Sequence, residues 1–141
     1  MAPYIPVGLR RQIERDAGHR CGYCLSSTHI TGTPLDTEHI IPVARGGKTE
    51  RDNLWLACHR CNRFKSDRTH AIDPATGDLT PLYNPCTQNW HEHFRWSRDG
   101  TEIIGLTAIG RATTTALHMN NEYVVESRRF WVIAGWHLPL E

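Results

Sequence analysis

The sequence predicts an α+β protein: a strand–loop–strand–helix module stapled by a metal, a helix in front of it, and a hairpin with two helices behind it. Three observations lead there. Two Cys-x-x-Cys pairs, Cys21/Cys24 and Cys58/Cys61, bracket a polar, glycine-containing stretch, and two thiolates separated by a tight turn fit adjacent vertices of a tetrahedral zinc. Between the pairs, two short apolar runs flank a Gly-Gly loop, as two short strands would. Past position 70 the pattern changes to Pro- and Gly-punctuated sequence, then an alternating run broken by Asp99-Gly100, then two runs of helical period.

Taken in order, Pro6 to Ala17 reads as a helix, because Pro6 suits a first turn, Leu9, Ile13 and Ala17 share one face, and Gly18 is a good stop. After the first cysteine pair, "PLDTEHIIPV" has the alternation of a strand ending at Pro42, "ARGGKTERDN" is a polar loop, and "LWLA" is a second strand. "CHRCNRFKSDR" begins a helix with Cys58 and Cys61 at its start, and "IDPATGDLTPLYNP" is a loop or short hairpin. "HFRWSRDGTEIIGL" is a hairpin turning at Asp99-Gly100. Helices are expected over about Thr107 to Met119, with Ile109, Ala112, Ala116 and Leu117 on one face, and over about Glu122 to Trp136, capped by Asn120 or Asn121. Trp90, Phe94, Trp96, Phe130, Trp131 and Trp136 are expected to pack in the core. The expected division is a core module over 1–70 and an accessory region over 71–141 packed on it, with the seam between Pro74 and Pro81.

A chain of 141 residues has room for one ordinary domain or a metal-stapled module with an accessory region. Its net charge is only +1, but Lys and Arg outnumber Asp and Glu by 11 to 7 through position 70 and are outnumbered 5 to 8 beyond it. The half that holds the cysteines is thus the half suited to a polyanion. No apolar run approaches a membrane span, and "MAPYIPVGLRRQ" lacks the apolar core of a signal peptide, so a soluble, cytoplasmic protein without a membrane partner is expected. Four of the five cysteines are assigned to zinc, which leaves Cys86 as a bystander.

Hydrolysing a phosphodiester takes a nucleophile, a cation on the phosphate oxygens and help for the leaving alkoxide. Glu38 can supply a hard oxygen ligand and His39 can act on a water, provided the strand bends so that these neighbours do not point to opposite faces. Asn62, just after the second cysteine pair, offers a second oxygen for a magnesium that keeps several of its own waters. Arg45, Lys48 and Arg51 along the loop, and Arg60, Arg63 and Lys65 along the helix, are candidates for phosphate contacts that give affinity without sequence readout. His59 could replace a cysteine ligand, while His91 and His93 have the spacing of one strand face and suit packing or a phosphate contact.

From Cys21 to Lys65 the chain resembles the HNH endonuclease family in its four-cysteine form: C-x-x-C, an acidic residue followed by His, Ile and Pro, then Gly-Gly, Asn-Leu, C-x-x-C-N and Lys. The resemblance implies a ββα-metal, treble-clef-like core closed by a structural zinc on four cysteines, with DNA as substrate and Mg²⁺ or Mn²⁺ as the catalytic ion. It also implies that His39 activates water, that Asn53 orients the catalytic loop, and that Asn62 and Glu38 stand at the metal-ligand positions, where aspartate is commoner than glutamate. The stretch from Leu82 to Thr113 is similar to the tail of some small stand-alone HNH proteins. The expected function is a metal-dependent endonuclease that nicks one DNA strand per active site, as a monomer or weak homodimer. The alternative is a non-catalytic, zinc-stabilised nucleic-acid-binding module.

Overall fold

The computed structural model describes residues 4–138. These divide into two compact units, the first running to Thr69 and including Asn84–Thr87, the second comprising His70–Tyr83 and the chain from Gln88 onward.

In the first unit, helix α1 (Val7–Asp16) starts after Pro6, whose φ of −55° is already set for a first turn. Its buried Ile13 joins Ile5, Leu54 and Leu56 in a small apolar core, with Leu9, Ala17 and Leu35 against it. The first cysteine pair lies in the turns that follow, where Gly22 N donates to Leu56 O at 2.9 Å and so ties the knuckle to the sheet. A single helical turn, α2 (Thr28–Thr31), is capped by Ser27. Strand β1 (Asp36–His39) pairs antiparallel with β2 (Leu54–Ala57), Asp36 opposite Ala57 and His39 opposite Leu54. Helix α3 (His59–Lys65) then begins on Cys58, whose sulfur accepts from Cys61 N, and is stopped by Ser66 at a φ of +54°.

β1 ends at His39, three residues short of the Pro42 expected from the sequence, and the cause is a side chain. Asn53 takes over both backbone groups of Ile41, accepting from its N–H at 2.8 Å and donating to its O at 3.1 Å, so the ladder cannot continue. Beyond it the chain turns through Gly46 and Gly47. A Cβ on Gly47 would lie 1.7 Å from Ile41 O, so only glycine fits there.

The second unit opens with a hairpin, β3 (His70–Ile72) against β4 (Leu79–Pro81), which settles the loop-or-hairpin stretch as a hairpin. A one-turn helix, α4 (Trp90–His93), leads into β5 (Phe94–Trp96), which pairs with β6 (Ile103–Gly105). In the connecting turn Gly100 sits at a φ of +77° and the Asp99 carboxylate accepts from Thr101 N and Oγ1. Helix α5 (Ala108–Ala116) is capped by Thr107, and α6 (Glu122–Ala134) by Asn121, which accepts from both Tyr123 N and Val124 N. α5 approaches so closely that a Cβ on Gly110 would meet His93 O at 2.0 Å.

The core of this unit is aromatic, as expected for Trp90 and Phe94, 7% and 0% exposed. Phe130 and Trp136, expected beside them, are instead 59% and 58% exposed. α6 buries the stripe Val124–Arg128, and at 100° per residue Phe130 falls about 120° away from Val124. Trp136 lies past the Gly135 cap. Arg128 is wholly buried, donating to Thr101 O and Met119 O at 2.9 and 2.7 Å. Asp73, also wholly buried, accepts two bonds from Arg111, at 3.0 and 2.9 Å, which hold its carboxyl well below the usual carboxylate range.

Candidate active site and metal centre

The two cysteine knuckles converge. The sulfurs of Cys21, Cys24, Cys58 and Cys61 all lie within 4.8 Å of one another, and Cys24 and Cys58 are 3.7 Å apart. A tetrahedron with Zn–S bonds of about 2.3 Å has edges of about 3.8 Å, so the spacing fits zinc. The chemistry fits too. Burial pushes the Cys21 thiol well up, while hydrogen bonds from Cys21, Cys58 and Cys61 pull Cys24 well down. Four sulfurs this close, three of them buried, cannot all ionise without a cation among them. With all four vertices taken by thiolates, such an ion is structural. His59 stands outside the cluster, exposed, with Nδ1 3.3 Å from Asp36 Oδ2.

Beside the knuckle, Glu38, His39, Asn62, Thr37, Pro42, Val43 and Ser66 line one recess of about 210 Å³. Glu38 and His39, consecutive at the end of β1, both line it. His39 Nε2 is 2.9 Å from Thr49 Oγ1, and partial burial lowers the imidazole's pKa from its usual value. Asn53 adds a third backbone bond, to Lys48 O at 2.9 Å, and thereby pins the loop that carries Thr49.

Glu38 is 4% exposed, and its Oε1 is 3.0 Å from Nζ of the equally buried Lys65. Burial pushes its carboxyl up, and Lys65, then Tyr23, draw it back. Neither carboxylate oxygen completes a hydrogen bond of good geometry. Glu38 and Asn62 line the same recess, and a carboxylate with a carboxamide oxygen is a donor set that fits a hard divalent cation, Lys65 being the carboxylate's partner in this structure. Asn62 Nδ2 now donates to Asp36 Oδ2 at 3.3 Å.

The six basic candidates separate. Lys48 and Arg63 are exposed, and Arg45 is exposed although it donates through Nε to Asp67 O at 2.6 Å. Lys65 is 1% exposed and bonds Ile40 O at 3.0 Å as well as Glu38, so its placement as a phosphate contact is corrected: it is an interior counter-charge. Arg51 ties Asp16 at 2.8 Å and lies 5.0 Å over the Trp55 ring, which makes it a brace within the first unit. Arg60 turns toward the cysteines, with Nη2 3.7 Å from Cys24 Sγ. His91 and His93 occupy a helical turn, not a strand face, and His93 bonds Thr107. Cys86 Sγ is 3.3 Å from Leu54 O, and burial pushes its thiol up. Sequence reasoning missed Thr49, Tyr23 and Asp36, for each is an ordinary polar residue until the fold sets it beside His39, Glu38 or Asn62.

Two short antiparallel strands and a helix, closed by four cysteines and presenting an acid, a histidine and an asparagine to one recess, define a ββα-metal finger. Residues 21–68 match the model of the HNH endonuclease family. Over 54 residues the chain is 41% identical to the CRISPR-associated endonuclease Cas9 of Corynebacterium diphtheriae, a stretch that covers 38% of this chain and 5% of that protein. No solved structure matches. Among the described residues no helix is long and apolar enough to cross a membrane.

Proposed function

We propose that the chain is a metal-dependent endonuclease that hydrolyses DNA phosphodiester bonds, cutting one strand per active site. The observation that carries this reading is the meeting of Glu38, His39 and Asn62 in one recess inside the HNH segment.

Thr49 holds the ring of the histidine through its Nε2 at 2.9 Å; in the tautomer whose Nε2–H donates to that hydroxyl, Nδ1 carries the lone pair that accepts a proton from an attacking water. Partial desolvation keeps the ring neutral at pH 7, the state a base needs. Glu38 and Asn62 would hold a Mg²⁺ or Mn²⁺ ion, which when bound offsets the charge growing on the phosphate and leaving oxygens. Asn53 fixes Ile41 to Lys48 and so keeps His39 and Thr49 in register. The exposed Lys48 and Arg63, with the exposed Arg45 on the same loop as Lys48, supply phosphate contacts without base readout. The products are 3′-hydroxyl and 5′-phosphate ends, as the family resemblance implies.

One constellation per chain cuts one strand at a time. Purified, zinc-loaded protein incubated with supercoiled plasmid and Mg²⁺ or Mn²⁺ should yield the open-circular form first, with linear DNA lagging, and chelation of the added ion should stop the reaction. Plasmid bound but never cut with any divalent ion would instead identify a nucleic-acid-binding module.

A further inference from the structure

Arg60 lies between the two cysteines of the second knuckle, yet its side chain crosses to the first, placing Nη2 3.7 Å from Cys24 Sγ. Its Nε is buried and has no hydrogen-bond partner among the described residues, an expense for a cation unless an opposite charge stands nearby. No carboxylate among the described residues forms an ion pair with it. The nearest anion is the sulfur cluster itself: four thiolates on Zn²⁺ carry a net charge of −2. Of the other polar contacts of those sulfurs, Cys61 N donates to Cys58 Sγ at 3.4 Å and Cys24 Sγ donates to Ser26 Oγ at 3.2 Å, but both partners are neutral. Arg63, one helical turn on, carries the same charge into solvent.

We propose that Arg60 is the outer-sphere counter-charge of the zinc centre, a positioning residue that holds the dianionic tetrathiolate closed, and not a contact to nucleic acid. A guanidinium donating to a ligand sulfur lowers the electron density at that sulfur, resists its protonation or release, and offsets the site's charge in a buried setting. Arginine suits this place better than lysine because its planar, weakly hydrated head keeps its charge when desolvated.

The inference rests on the zinc reading, and zinc content of the parent protein tests that reading before any variant is made: a parent without zinc overturns both. With zinc present, the test is the rate of metal transfer from the full chain to a chromogenic chelator for the parent, Arg60→Gln, Arg60→Lys and Arg63→Gln. Arg60→Gln should lose zinc on the order of ten-fold faster, Arg60→Lys should fall between it and the parent, and Arg63→Gln should match the parent. If Arg60→Gln does not fold, the Arg60→Lys rate against that of Arg63→Lys decides. Equal rates for the Arg60 and Arg63 variants would overturn the proposal, as would an Arg60→Gln protein that holds zinc like the parent but binds plasmid more weakly and with a shallower salt dependence.

Discussion

The two units bury charge by different means. The first has a small apolar core and gathers four cysteine sulfurs at one point, beside a Glu38 carboxylate that Lys65 already meets. The second closes on Trp90, Phe94, Ile103 and Leu117, and meets its buried charges internally, Asp73 with Arg111 and Arg128 with backbone carbonyls. The contrast teaches where chemistry can sit. A unit whose buried charges are met internally has no donor to spare, whereas one that brings four sulfurs to a single point can hold a metal ion.

The sharpest break in this comparison is removal of one of the four clustered cysteines, which fit a structural zinc. Structural zinc contributes about 10–16 kcal/mol of apparent binding energy to small metal modules, so Cys58→Ser should unfold the first unit. Amide exchange should then rise across β1, β2 and α3 while the amides of β5 and β6 stay protected. Uniform loss of protection in both units would show that the second also depends on the metal. The converse probe is Phe94→Ala, which empties a fully buried site and should cost about 3–5 kcal/mol. It is expected to lower the second unit's stability with zinc content unchanged.

Within the first unit, Asn53→Ala removes three hydrogen bonds to the backbone and, at about 1 kcal/mol per bond, should slow plasmid cleavage on the order of a hundred-fold. Zinc should be retained. A variant that cuts like the parent would show that the loop holds its own shape. The smallest effect is one of pH. Burial lowers the His39 pKa, so the neutral base persists below the ordinary value of about 6.5. Cleavage should be flat above that pH and fall with unit slope below it, at a fixed saturating metal concentration. An acid limb centred above pH 6.5 would contradict the burial argument.

Much of the fold is legible in the sequence where a local rule suffices. β2 is the "LWLA" run, the β5–β6 turn is Asp99-Gly100, and Thr107 and Asn121 cap their helices. The gathering of four sulfurs follows from two short cysteine spacings. What is not legible depends on partners distant in the chain. Nothing local tells that Asn53 cuts β1 short, that Lys65 turns inward to Glu38, or that Arg51 and Arg60 are drawn to Trp55 and to Cys24. A long cationic side chain reads alike whether it meets water, a phosphate or an interior anion. For the same reason Phe130 reads as core until the buried stripe of α6 is known.

The central claim, that the recess beside β1 is a hydrolytic site with His39 as its base, is tested most directly by His39→Ala. Plasmid cleavage is measured in Mg²⁺ or Mn²⁺, with zinc content and amide protection confirming an intact first unit. Loss of a positioned general base should lower the rate about 10²- to 10⁴-fold while zinc and fold persist. A zinc-loaded, folded His39→Ala protein that nicks plasmid as fast as the parent would contradict the account.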